Sequence, residues 1–249
     1  MDSQLPQSLF PDSHNSRVRV GYEELPLKIT RREFCEGSAA AALAAGWFGL
    51  SPFTGLAGEA MAQTVSSAEL LAPSPLGDMS MGADNAPVTI IEYASMTCGH
   101  CAHFAVTTLP ELKKRYIDTG KARYILREFP LDPLAAAGFM LARCASKDDK
   151  AKYFALVDTL FHQQDIWVVQ KPLAPLMTIA KQAGLSEQAF DQCLANQSML
   201  DGIEEVRRRA AEKLGVSSTP TFFINGQKHS GDISIDELAK LMEPYLKAG

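Results

Sequence analysis

Cys98-Gly99-His100-Cys101 constrains this chain more than any other stretch, because of what stands on either side of it. Before it runs Pro87-Val88-Thr89-Ile90-Ile91-Glu92-Tyr93, whose apolar and β-branched character predicts a buried strand. After it, residues 102–116 have helical composition. Two cysteines separated by two residues at a helix start can close a small disulfide ring and reopen it. Backbone N–H groups and the helix dipole at that end favour a thiolate, so Cys98 is expected to be acidic and nucleophilic. Cys101, one turn further in, is placed to attack and resolve a mixed disulfide formed at Cys98. His100, between them, can offer the thiolate a hydrogen bond or a positive charge.

Other uses of such a pair fit less well. A structural zinc site needs four ligands, and no second paired Cys/His motif follows. Covalent haem attachment needs histidine directly after the second cysteine, where this chain has Ala102. An inert structural disulfide is the remaining alternative, and placement on a strand–helix turn argues against it. Nucleic-acid binding is unsupported. The net charge is −5, and Arg207-Arg208-Arg209 stands among Glu204, Glu205 and Glu212, which reads as a solvated helix face.

Residues 1–62 read as an export signal rather than as part of the fold. Thr30-Arg31-Arg32-Glu33-Phe34 precedes a soft, alanine- and glycine-rich apolar stretch from Ala39 to Leu50, and Ala60-Met61-Ala62 suits cleavage before Gln63. The pattern resembles a twin-arginine signal, although Cys35 and Glu36 depart from the usual residues there. The run is short for a spanning helix, so an uncleaved anchor is the weaker alternative. Export to the periplasm would place the cysteines where disulfides persist. Cleavage would remove Cys35 and leave Cys98, Cys101, Cys144 and Cys193, an even number that permits complete pairing.

In the remainder, 63–86 reads as a polar lead-in with a short edge strand near Asp78 to Met81. Strands are predicted near Val88–Tyr93 and Ala122–Phe129, joined through a helix in which Pro110 predicts a kink or break. The periodicity then turns helical, with helices predicted over 133–147, 149–163, 172–184, 186–196 and 198–214. Ser218-Thr219-Pro220-Thr221-Phe222-Phe223-Ile224 predicts another strand, and Asn225-Gly226 a hairpin back through Lys228-His229-Ser230. A last helix starts at Ser234 with Glu237 completing a capping box; Leu238, Leu241, Met242 and Tyr245 are expected to face the sheet.

A dithiol on a strand–helix turn, followed much later by Thr-Pro before a strand, resembles the thioredoxin fold. The order strand–helix–strand, helical insert, strand–strand–helix resembles more specifically the DsbA-like thiol-disulfide oxidoreductases of bacteria, over about 82–246. The resemblance implies an α/β thioredoxin fold with an inserted helical subdomain: a core of 87–131 and 216–249, and an insert of 132–215. It implies that Thr219-Pro220 is a cis-proline loop facing the dithiol, where the Thr219 backbone would pair with an extended client chain. Glu92 would be the buried acid that moves protons to and from Cys101, with Arg127 or Glu128 as its partner; a salt-bridged acid without a catalytic part is the alternative. Cys144 and Cys193 both fall in the insert, where some exported relatives carry a second disulfide. A bridge there would close about 50 residues, worth on the order of 4 kcal/mol, against the alternative of two buried free thiols.

The activity so implied is the introduction of disulfides into reduced, exported proteins, without metal or organic cofactor, with reoxidation by a membrane quinone-linked partner. A disulfide isomerase or reductase is the runner-up, because Gly-His between the cysteines also occurs in eukaryotic isomerases. Dimeric bacterial isomerases carry an N-terminal dimerisation domain, for which the segment before Val88 is too short, so a monomer is expected. A non-redox peptide-binding chaperone using the Thr219-Pro220 groove is a third reading, against which the presence of both thiols argues.

Overall fold

The computed structural model describes residues 67–247. The expected export signal over 1–62, its cleavage site and Cys35 lie outside the described residues. Five strands form one mixed sheet: β1 Met79–Met81, β2 Val88–Ala94, β3 Ala122–Glu128, β4 Thr221–Ile224 and β5 Gln227–Ser230, in the order β1-β3-β2-β4-β5. Strand β2 is central, parallel to β3 and antiparallel to β4. It is covered on both faces, which is why its sequence is apolar almost without alternation. Val88, Ile90 and Ala94 join one core, and Ile91 and Tyr93 the other. By that alternation Glu92 falls on the face of Ile90 and Ala94, under the dithiol.

The helix after the dithiol begins as α2 (Gly99–His103) and continues through a π turn (Phe104–Thr108), α3 (Leu109–Leu112) and a second π turn (Lys113–Ile117). Of the kink or break predicted at Pro110, the break is absent, and the helix changes form there instead. Proline cannot donate to the carbonyl four residues back, and its ring crowds that carbonyl. The wider π turn immediately before α3 takes up the mismatch, and the helical run goes on.

Six helices follow: α4 (Pro133–Ser146), α5 (Lys150–His162), α6 (Gln164–Trp167), α7 (Leu173–Gln182), α8 (Glu187–Leu194) and α9 (Gln197–Leu214). Asp132, Asp149, Ser186 and Asn196 each cap a helix by accepting from its first free N–H groups. The single turn α6 is not apparent in the sequence. Helix α4 is the axis of this block, since every residue from Ala135 to Arg143 is buried. Cys144 at its end is bonded to Cys193 of α8. Asn225 and Gly226 both take positive φ, 44° and 90°, and turn β4 into β5. The last helix among the described residues is α10 (Ile235–Leu246), where Ser234 and Glu237 form the capping box. Leu238 and Met242 are fully buried, but Leu241 is 39% exposed, contrary to its expected place on the sheet. It lies at the rim of the stripe that Leu238 and Met242 define.

Three arginines from three elements hold the lead-in by its carbonyls. Arg127 donates to Leu70 and Ala72 and forms a two-pronged pair with Asp78. Arg143 donates to Leu76 and Gly77, and Arg209 to the backbone and carboxylate of Glu69. The reading of 207–209 as a solvated face therefore holds for Arg208, which pairs with Glu205 and Glu212, but not for Arg209. Helix α1 (Ser67–Leu71) and the lead-in cover that side of α9. Gly202 marks the closest approach: a Cβ there would stand 2.6 Å from Leu76 Cδ2.

Candidate active site

Strand β2 ends at Ala94, and four residues later Cys98 stands at the N-cap of α2 in extended conformation, φ −84° and ψ 120°. Its N–H reaches back to the Ser95 carbonyl at 3.1 Å, and its own carbonyl accepts from Ala102. Cys98 is half-buried, Cys101 is completely buried, and both are free thiols. The sulfur of Cys98 lies 3.3 Å from the carbonyl oxygen of Thr219, and the Thr219–Pro220 peptide is cis. The structure thus brings together Cys98, Cys101, His100, Thr219 and Pro220.

The two sulfurs have opposite proton affinities. The Cys98 thiol is lowered to about 5, chiefly by a hydrogen bond from the Cys101 thiol, against the opposing effect of its partial burial. The Thr219 hydroxyl and the backbone N–H groups of Cys101 and His100 add to the lowering. Thr219 Oγ1 is buried and has no hydrogen-bond partner among the described residues, so it is free to donate to an ionised Cys98. The Cys101 thiol is pushed far up, first by burial, then by the hydrogen bond it gives to Cys98 and by the nearby Glu92. His100 contributes differently from the sequence expectation. Its side chain lies exposed, and its backbone N–H meets the thiolate because helix geometry points the first N–H groups at the N-cap sulfur.

Glu92 is buried beneath the dithiol, and its carboxyl is pushed up to about 8, chiefly by burial, with the charges of Cys98 and Asp232 adding to the rise. Neither expected partner reaches it. Arg127 projects from the other face of β3, toward Tyr93 and Asp78. Glu128 is on the correct face but is held by Arg143 at 2.6 Å and by the Tyr153 hydroxyl at 3.2 Å. The partner is Tyr124, whose hydroxyl donates to Glu92 Oε2. Tyr124 stands opposite Ile90 in the parallel register, and Leu126 is opposite Glu92. A tyrosine side chain is long enough to cover that two-residue offset.

Two side chains of the helical block hydrogen-bond to the dithiol turn in a way not apparent in the sequence. Gln164 of α6 donates its amide to the carbonyls of Met96, at 2.8 Å, and Cys98, at 3.2 Å. Asp132, the cap of α4, accepts at its second oxygen from the Thr97 hydroxyl at 2.6 Å. Only the capping half of that role follows from an Asp-Pro at a helix start. At the end of α2, His103 pairs with Asp232 from the loop between β5 and α10. Among the described residues, no group of three or more His, Cys, Asp or Glu is placed to hold a metal ion, and no helix is long and apolar enough to cross a membrane.

Comparison with known proteins agrees with this geometry. The thioredoxin family profile matches residues 74–244. Among curated relatives, a Rickettsia conorii protein described by inference as a protein-disulfide oxidoreductase is 34% identical over 171 residues. That match takes in 68% of this chain and 61% of the relative, so the chain spans less than two thirds of that protein's length. Among solved structures, α-DsbA1 of Wolbachia pipientis superposes with a TM-score of 0.68 at 34% identity, covering 74% of this chain and 97% of that one. BdbD of Bacillus subtilis shares the fold with a TM-score of 0.59 at 20% identity, over 70% of this chain and 96% of its own. The fold is a thioredoxin fold with additional helices, and the chain belongs to the DsbA-like branch of the thioredoxin superfamily.

Proposed function

We propose that this protein is an exported thiol-disulfide oxidoreductase that introduces disulfides into reduced client proteins in the periplasm. The observation that carries the reading is Cys98: a half-buried sulfur at a helix start, lowered to about 5 and opposed by Thr219 at 3.3 Å. In the oxidised protein a client thiolate attacks Cys98 Sγ, the Cys98–Cys101 bond breaks, and Cys101 leaves with the electron pair. Its high proton affinity demands a proton at that moment, and protonated Glu92 beneath it is the donor. A second client thiolate then attacks the client sulfur and expels Cys98 as a stable thiolate. The client is oxidised by two electrons and the dithiol is reduced by two.

The low Cys98 value favours this direction, because a stabilised thiolate is a good leaving group and makes the reduced protein the more stable form. Thr219 and Pro220 supply the client-binding edge in this scheme, and the Cys144–Cys193 bond braces the helical block apart from the exchange. The protein acts as a monomer in this reading, and a membrane quinone-linked partner regenerates the disulfide. Similarity to α-DsbA1 and the Rickettsia protein supports the class of chemistry.

The test is to equilibrate the purified dithiol with glutathione buffers and to offer the oxidised protein a reduced, unfolded ribonuclease. Stoichiometric oxidation of the ribonuclease and a potential well above about −270 mV, the value of a reductant such as thioredoxin, are expected. A potential at or below that value would make the protein a reductase. No exchange at all would remove the reading. For export, replacing Arg31 and Arg32 with lysine should hold precursor in the cytoplasm; undiminished export would transfer the signal to the unfolded-chain route.

A further inference from the structure

We propose that Tyr124 is a positioning residue for disulfide exchange: its hydroxyl fixes the Glu92 carboxyl and keeps that group able to take the proton of Cys101. The inference rests on the exchange reaction proposed above and extends it to a residue outside the dithiol and its proline loop.

When reduced protein is reoxidised, Cys98 thiolate attacks one sulfur of the oxidant's disulfide, that S–S bond breaks with release of the oxidant's first thiolate, and a mixed disulfide forms. Cys101 must then lose its proton, attack Cys98 Sγ, and expel the oxidant's second thiolate. Cys101 is completely buried and holds its proton tightly. A base inside the protein has to accept that proton. Glu92 is the acidic group beneath it, and the same burial that places it there favours its protonated form, which cannot accept.

Tyr124 opposes this effect of burial. Its hydroxyl donates to Glu92 Oε2, an interaction that strengthens when the carboxyl is ionised and so lowers its proton affinity. The tyrosine's own proton is held above its ordinary value, chiefly by burial and then by the Glu92 charge, so the hydroxyl remains a donor throughout the working range. Packing holds it in place. The Phe104 ring stacks over Tyr124 at 6.5 Å between centroids, and Phe154 of α5 leans on it at 6.0 Å. The ring also borders a half-open groove of about 670 Å³, where its neighbours include Leu109, Leu126 and Phe154.

The other groups facing Glu92 all act against ionisation. From the helical run they are Cys98 and Cys101, and from the loop after β5 it is Asp232, which is paired with His103. Strand β4 presents the apolar Phe222 opposite Glu92, and Leu238 and Met242 of α10 belong to the same apolar core as Phe222. No cation stands against the carboxyl among the described residues. Among the described residues, Tyr124 is the one neighbour that lowers its proton affinity.

Tyr124→Phe removes the hydroxyl and keeps the ring, so it tests the hydrogen bond without opening a large hole. Two readings should move. The carbonyl-stretch band of protonated Glu92, followed by infrared difference spectroscopy in the reduced protein, should titrate about one pH unit higher than in the parent. In single-turnover reoxidation by oxidised glutathione, resolution of the mixed disulfide near pH 7 should slow about tenfold, with the pH profile displaced by the same amount. In a Glu92→Gln background the further change Tyr124→Phe should leave that profile where it was. A Tyr124→Phe protein with unshifted Glu92 titration and an unshifted profile, folded and with Cys98 titrating normally, would overturn the proposal. Absence of exchange in the parent would instead overturn the proposed function, while the infrared titration, which needs no turnover, would still decide whether Tyr124 sets the state of Glu92.

Discussion

Because Cys98 titrates only in the reduced protein, the stability gap between reduced and oxidised forms is predicted to depend on pH, with a sign set by the lowered Cys98 value. A folded-state value depressed from the ordinary 9.0 to about 5 stabilises the folded, reduced chain fully above the unfolded value. The contribution is lost as pH falls through about 5. At about pH 7 the thiolate advantage spans roughly two pH units, or about 2.7 kcal/mol before screening. The sulfur is half in water, so about 1.5 kcal/mol is the expected size, or roughly 30 mV in a two-electron couple. Glu92 runs the other way: its value is raised to about 8, so its contribution is present below the ordinary carboxylate value and lost as pH rises through about 8. Burial rather than the charge of Cys98 is the main cause of that rise, so most of it is expected to cancel in the difference. The assay is urea unfolding of both forms at a series of pH values from about 4 to 9, with the thiolate followed by its ultraviolet absorbance. The reduced form should gain on the oxidised form as pH rises from about 5, and the absorbance midpoint should fall near that value. A flat difference, or a midpoint close to 9, would refute the assignment of Cys98 as the stabilised thiolate.

Three further outcomes follow from contacts around this centre. Gln164→Ala leaves the Met96 carbonyl without its side-chain donor and the Cys98 carbonyl with the Ala102 N–H alone, so unfolding free energy should drop by about 1–2 kcal/mol and Cys98 exchange should slow, as read by urea unfolding and alkylation rate. Peptide mapping without reductant should join Cys144 to Cys193, and the double serine variant should lose about 2–4 kcal/mol while its Cys98 titration is unmoved. Arg209→Met should loosen the lead-in over 69–73 for proteolysis with little loss of global stability, because its hydrogen bonds are with that segment.

The sequence makes the dithiol turn, the late Thr-Pro and most of the helices legible because each is written in adjacent residues. Asp132, Ser186 and Ser234 cap helices within reach of their own side chains, and Asn225-Gly226 carries its turn in two φ angles. What stays hidden is any choice among residues brought together by the sheet. Strand parity places Tyr124, Leu126 and Glu128 on the Glu92 face, yet parity cannot rank them. Arg143, fifteen residues beyond Glu128, decides the matter by holding that acid elsewhere. Arg209 reads as solvated for the same reason: nothing in its own helix shows that Glu69, 140 positions earlier, lies over it.

These long-range contacts also explain why the helical block is more than a covering for the sheet. Asp132 and Gln164 come from different helices, and both end on the segment Met96–Cys98. A nucleophile at an N-cap needs its backbone fixed, because the N–H groups that lower its proton affinity act over hydrogen-bond distances and fall off steeply with misalignment. Thr97 and the Met96 and Cys98 carbonyls are held from the helical side, and the sulfur faces Thr219 from the sheet side. Movement of the block relative to the sheet would therefore change the orientation of Cys98 directly. The Cys144–Cys193 bond, joining α4 and α8, keeps the block rigid at a distance from the chemistry. A bond placed there can steady the geometry of the exchanging sulfurs without entering the exchange.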